Sequence, residues 1–194
     1  RQPKTEQAVL WIRIARLYGE KLNHHEYALA SLGEAQKLSI PDAEKKSFFT
    51  LRADLCRRAQ RWKDLAESIG QLADLTDEKE KRVDLFLEQG EIFETRLSDN
   101  AAAVAAYKQA RTTDPQSRDA MLALEHTLRR ASSWNDLISL LDEKAGLLAE
   151  QGDPSGELTA RREAAQLQAE HGTDRRASVR RWEEVGGASE YLTV

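Results

Sequence analysis

Small or apolar residues recur at positions i, i+1, i+4 and i+7 in five separate segments of the chain. The segments are Ala28, Leu29, Leu32 and Ala35; Leu65, Ala66, Ile69 and Leu72; Ala103, Val104, Tyr107 and Ala110; Leu137, Ile138 and Leu141, with Lys144 interrupting beside Ala145; and Ser178, Val179, Trp182 and Val185. This spacing lays an apolar stripe along one side of a helix. Successive segments start 37, 38, 34 and 41 residues apart, which leaves room for two helices and their turns in each unit. A longer echo supports the repeat. Trp62, Asp64 and Leu65 return as Trp134, Asp136 and Leu137, and Arg57-Arg58-Ala59 returns as Arg129-Arg130-Ala131, both at a shift of 72.

The partner helix of each unit lies upstream of its stripe. Trp11, Ile14, Ala15 and Tyr18 share one face, as do Phe49, Ala53 and Cys56; Phe86, Gly90 and Phe93; and Met121, Leu124 and Leu128. The fifth, with Leu158, Ala164, Ala165 and Leu167, is less sharply patterned. The pattern predicts helices over 5–22, 25–38, 42–59, 62–75, 78–97, 100–112, 117–131, 134–150, 155–171 and 174–185. Pro3, Pro41, Pro115 and Pro154 fall at the joints, where a missing N–H does least harm. Ser39 with Asp42, and Asp77 with Glu80, read as capping pairs at helix starts.

Composition agrees with an all-helical chain. Charged residues make up 32% of the 194 and aromatics 6%, with ten glycines and four prolines. The net charge of −4 argues against a phosphate-backbone partner as the default. One basic run, Arg175, Arg176, Arg180 and Arg181, departs from this balance, although Glu183 and Glu184 beside it favour a solvated face. A lone cysteine, Cys56, forms no internal disulfide and suits a reducing, cytoplasmic setting. The longest apolar run, Ala101 to Tyr107, is far short of the ~20 residues of a membrane span. No signal-like segment is visible, and a start at Arg1 suggests a section of a larger protein whose targeting signals could lie elsewhere.

Little in the sequence points to chemistry. His24, His25 and Glu26 form the one histidine–carboxylate cluster, but adjacent residues at a turn do not converge on an ion, so no metal site is expected. Cys56 sits at an apolar helix position with no histidine in register, which reads as core rather than nucleophile. There is no glycine-rich phosphate loop, nucleophile elbow or zincin motif. No catalytic residue and no cofactor are expected. Trp11, Trp62, Trp134 and Trp182 occupy repeat-register positions and read mainly as packing residues.

Trp11-x2-Ile14-Ala15-x2-Tyr18 resembles the first half of the tetratricopeptide (TPR) signature, with alanine for its glycine. Gly90 with Phe93 resembles the first half again, and Ala103, Tyr107, Ala110 and Pro115 the second. The resemblance covers about 5–186, in repeats of about 5–40, 41–76, 77–115, 116–151 and 153–186, leaving 187–194 as a tail or the start of a further repeat. The first and third repeats carry an extra residue between their helices, and the fifth lacks the large aromatic of its first helix.

The resemblance implies an all-α, right-handed α-solenoid of about five helix-turn-helix pairs in a single domain, of the degenerate kind found in bacterial scaffolding proteins. It also implies a concave groove for a peptide or protein partner. The matching first-helix positions are Arg16 and Glu20; Asp54, Arg57 and Arg58; Asp84, Glu91 and Glu94; and His126, Arg129 and Arg130, a basic, acidic, basic alternation. The expected function is therefore a non-catalytic protein-interaction scaffold, with roles in motility, polarity or secretion machinery as its finer form. Alternatives are a regulatory domain of a larger enzyme, nucleic-acid binding through the 175–181 stripe, and self-association through the ends of the array.

Overall fold

The structure, a computed structural model, describes residues 3–172 and 175–190. It is all-α, and the expected helix pairs are present, with ends within a few residues of those predicted. They fall into two compact units, 1–115 and 116–194. The first unit holds α1 (Lys4–Arg16, extended by one wider π-helical turn, Leu17–Lys21), α2 (His25–Gln36), α3 (Asp42–Arg58), α4 (Trp62–Asp74), α5 (Lys79–Thr95) and α6 (Asn100–Thr113). The second holds α7 (Arg118–Arg130), α8 (Trp134–Glu150), α9 (Pro154–His171) and α10 (Arg175–Glu190). Thus α10 carries the helix on through 186–190; residues 191–194 of the expected tail lie outside the described residues.

A single apolar core runs through α1 to α5, because each helix pair buries its stripe only by packing on its neighbours. Alanines let the helices approach closely: Ala28, Ala35 and Ala66 in the stripes, and Ala73 one position beyond Leu72, are fully buried. On the first helices the deepest residue is often one position from the expected face. Phe48, Ile12 and Ile92 are buried, while Phe49, Trp11 and Phe93 are only partly so, and Ile14 is 36% exposed. A first helix is covered from two sides, by its own partner and by a neighbouring pair, so two adjacent stripes are apolar. In the fifth pair Val185 is buried but Val179 and Trp182 are exposed, which corrects their reading as core. Buried Ser31, Ser68, Thr76 and Thr127 return their hydroxyl protons to the carbonyl four residues back, so none is left unsatisfied.

The turn within a pair follows one plan. Asn23, Gln60, Ser98 and Ser132 each adopt a left-handed conformation, with φ between 53° and 56°, two residues before the second helix begins. In the second and fourth pairs the next N–H closes a Schellman-type bond five residues back, Arg61 to the Cys56 carbonyl at 2.9 Å and Ser133 to Leu128 at 3.0 Å. In the first and third pairs the bond reaches six residues back, His24 to Tyr18 at 2.9 Å and Asp99 to Phe93 at 2.8 Å. The extra residue of those repeats is thus taken up as a wider last helical turn, with Leu22 bonded to Leu17 and Leu97 to Ile92.

The expected capping pairs are not formed. The α3 N-cap is Pro41 and the α5 N-cap is Glu78, neither with a side-chain cap; a proline's fixed φ sets the α3 N-cap two residues beyond Ser39. Side-chain caps occur instead at Asp99, Ser117 and Asp153, whose oxygens accept from Ala102, Ala120 and Gly156.

Candidate functional site

The last turn of a first helix is where a cation complements the helix dipole. Arg57 of α3 and Arg129 of α7, equivalent in the 72-residue echo, both use that position to reach the following first helix. Arg57 pairs with Glu88 of α5 at 2.5 Å. Arg129 pairs with Glu163 of α9 and also with Glu125, one turn back on α7, at 2.8 Å. Arg16, at the end of α1, donates to the Ser47 hydroxyl of α3 at 3.0 Å and lies 3.9 Å from Glu20. An arginine bridge between consecutive first helices therefore recurs in both units.

The remaining expected groove residues are placed as follows. Asp54 and Arg58 pair with each other along α3 at 2.9 Å. Asp84 and Glu91 are exposed on α5. Glu94 accepts the Tyr107 hydroxyl of α6 at 3.2 Å. Burial first, and then the Glu94 and Glu91 charges, push that phenol above its ordinary range, so Tyr107 stays a neutral donor. His126 and Arg130 are exposed on α7. Arg57 and Arg129 reach Glu88, Glu163 and Glu125, none of them among the expected groove residues. The signal that could have found two of them is an acidic residue 31 or 34 positions beyond each echoed arginine.

Glu125 is the most enclosed of these acids, its side chain 14% exposed. Burial opposes its charge, but hydrogen bonds from Lys144 of α8, at 2.9 Å, and from Arg129 outweigh it and hold the carboxyl below its ordinary value.

A second recurring contact joins each echoed tryptophan, which opens a second helix, to a residue at the end of the next first helix. The Arg96 guanidinium lies 4.8 Å from the Trp62 ring centroid. The His171 imidazole stacks on Trp134. Trp134 and His171, with Ser132, Ser133, Asn135 and Asp136, line an open cleft of about 320 Å³. A similar cleft involves Asn23, His24, His25, Glu26, Tyr27 and Ala59 in the first unit. Among the described residues no three His, Cys, Asp or Glu side chains are grouped to hold a metal ion. Cys56 is buried, and burial pushes its thiol up to about 11, which makes it a core residue and a poor nucleophile.

The basic run on α10 is not a row of equivalent cations. Arg181 forms a two-pronged pair with Asp142 of α8, both contacts at 2.6 Å, while Arg176 and Arg180 are exposed. The Arg175 side chain lies outside the described residues. No helix among the described residues is long and apolar enough to cross a membrane.

No family model matches the chain, and a search of curated proteins returns no match. Among solved structures it is similar to the MamA protein, at 14% identity and a TM-score of 0.45, over 95% of this chain and 93% of that one. It is also similar to YrrB, described as a TPR protein with an unusual peptide-binding site, at 17% identity and a TM-score of 0.43, over 86% and 89% of the two chains. A third is a kinesin light chain TPR-like repeat protein of Podosopora anserina, at 13% identity and a TM-score of 0.44, covering 99% of each chain. All three TM-scores lie below 0.5, and the fold assignment rests on the helix pairs described above.

Proposed function

We propose that this chain is a non-catalytic protein-interaction scaffold that receives a peptide or protein segment along the first helices of its repeats. The observation that supports this reading most is the recurrence of the arginine bridge. Arg57–Glu88 and Arg129–Glu163 are partly exposed ion pairs formed from the same repeat position in both units. A carboxylate on a partner competes for the arginine fork on nearly equal terms, because a surface ion pair is worth only about 0–1 kcal/mol and each arginine can hold a carboxylate bidentately. Arg58 and Arg130, next to these arginines, and the acidic Asp84 and Glu91 supply mixed charge for a partner of matching pattern. The finer form of the proposal is a cytoplasmic section of a larger bacterial protein that organises motility, polarity or secretion machinery.

The test is affinity purification with the wild-type chain and with a variant carrying Arg57→Glu, Arg58→Glu, Arg129→Glu and Arg130→Glu, with circular dichroism confirming that both are folded. The proposal expects the variant to lose captured partners, and to lose them in a way that rising salt reproduces in the wild type. Unchanged partners with a folded variant refute the groove.

A further inference from the structure

The contact that closes the second joint of the first unit is missing from its first joint. A shift of 37 residues carries His25 onto Trp62 and Ala59 onto Arg96. Arg96, the C-cap of α5, reaches over the Trp62 ring that opens α4, its guanidinium carbon 4.8 Å from the centroid. At the same place in the preceding joint, α2 opens with the His25 imidazole and the α3 C-cap is Ala59, with only a methyl group. The C-cap side chain that spans the gap in the second joint therefore has no counterpart here. An open cleft of about 370 Å³ remains, lined by His25, Ala59 and their neighbours. Both flanking helix pairs belong to the first unit, so the cleft is internal to it.

The groups around this cleft suit a guanidinium. The Nε2 atom of His25 is buried and has no hydrogen-bond partner among the described residues. A neutral imidazole with its proton on Nδ1 offers that atom as an acceptor. Tyr27 is 66% exposed, and its ring is held by Tyr18, stacked 5.6 Å away, and by His24, edge-on at 6.2 Å, which makes it a fixed aromatic surface for a planar cation. Glu26 has 76% of its side chain exposed, and the cation facing it, Arg61, stands 3.7 Å away while pairing with Asp64 at 2.9 Å. The helix dipoles offset, since α2 brings its positive end to the cleft and α3 its negative end. The Tyr27 position is not one that a neighbouring pair covers. Asp64, its counterpart at the same shift, pairs with Arg61 and Arg52 of its own repeat and keeps 32% of its side chain exposed, although one pair precedes it and another follows.

We propose that this cleft is a docking site for an arginine side chain of a partner protein, which takes between His25 and Ala59 the place that Arg96 takes over Trp62. The incoming guanidinium lies against the Tyr27 ring, donates to His25 Nε2 and pairs with the Glu26 carboxylate. The opposing reading is an anion at the start of α2, which Glu26 repels. The cleft shares no residue with the arginine bridges, so loss of this binding and loss of partners held through Arg57 and Arg129 are separately observable.

Titration of the isotope-labelled 194-residue chain with N-acetyl-arginine amide, followed by NMR, tests this. The expected result is a saturable, millimolar shift of the His25, Glu26, Tyr27 and Ala59 amide signals. N-acetyl-lysine amide binds about three-fold or more weakly, because its ammonium cannot stack as a plane. Glu26→Gln raises the apparent Kd by about two- to five-fold, the range of an exposed ion pair. Ala59→Arg restores the C-cap side chain of the second joint, fills the cleft from within and abolishes the shifts. If the amide spectrum shows Ala59→Arg unfolded, Tyr27→Ala takes its place and raises the apparent Kd about two-fold or more. Arginine amide shifts that do not saturate overturn the proposal, as does a lysine amide that binds equally well. Saturable shifts of the same signals with sodium acetate or phosphate in place of arginine amide overturn it in favour of an anion, and a folded Ala59→Arg chain that binds like the wild type removes the site from the cleft.

Discussion

The imidazole of His171 lies flat on the indole of Trp134, the ring centroids 4.2 Å apart and the planes 8° from parallel. Trp134 opens α8 and His171 closes α9, so the stack ties one pair's turn to the next pair's first helix. Trp62 and Arg96 do the same in the first unit. A stacked aromatic pair is worth about 0.5–1.5 kcal/mol beyond its buried area. A double-mutant cycle with Trp134→Ala and His171→Ala, read by urea unfolding, is expected to give a coupling energy in that range. Strict additivity of the two substitutions would mean that the rings merely lie side by side.

Gly90 of α5 is held to glycine by Tyr107. A Cβ at this position would sit less than 3.0 Å from three ring carbons of the buried tyrosine. Gly90→Ala is therefore expected to cost about 1–3 kcal/mol through overpacking. Gly146, within α8, has nothing within 4 Å of its added Cβ. Gly146→Ala should stabilise by about 0.5–1 kcal/mol, the ordinary helix preference of alanine over glycine. Thermal melts of the two variants moving in the same direction would contradict this account.

The left-handed turn residues suggest a stabilising substitution. Gln60 holds φ at 56°, a conformation that costs an L-residue with a side chain roughly 1–2 kcal/mol and glycine almost nothing. After the loss to glycine's greater freedom in the unfolded chain, Gln60→Gly is expected to gain about 0.5–1 kcal/mol. The urea midpoint of the variant should rise, and a fall would show that the Gln60 side chain makes a compensating contact.

Glu125 makes the stability of the second unit depend on acid. Its folded-state pKa is depressed, so its contribution is fully present above the ordinary glutamate value of 4.5 and is lost as pH falls through the lower folded value. Urea midpoints of the wild type should therefore drop more steeply below pH 4.5 than those of Glu125→Gln, which lacks the titrating group. Parallel slopes for the two proteins would remove Glu125 from the acid response.

Helices and their pairing were legible because the Ala/Leu stripes repeat at a fixed register and few β-branched residues compete. The face of each first helix was less legible. Phe48 and Phe49, or Ile92 and Phe93, are adjacent and both apolar, and only packing from two sides decides which lies deeper. The capping pairs failed for a local reason, since Pro41 and the chain at Glu78 start their helices after the expected cap. Charged residues were readable as exposed but not as paired. Arg57 finds Glu88 and Arg181 finds Asp142 across 31 and 39 residues, distances that helical spacing does not reach and that, for Arg57, only the repeat register could have bridged. Trp182 was misread because its register is that of a core residue, and burial there depends on a helix that must come from outside the pair.

The widened helical turns of the first and third pairs explain how repeats of unequal length share one joint. An added residue raises the reach of a single backbone bond from five residues to six, while the left-handed residue still stands two positions before the second helix. Insertion at this point changes neither the phase of the second helix nor the face it offers its neighbour. A gene for such an array can gain or lose single codons at the end of a first helix without disturbing the repeats on either side, which makes this turn the site where repeat length is free to drift.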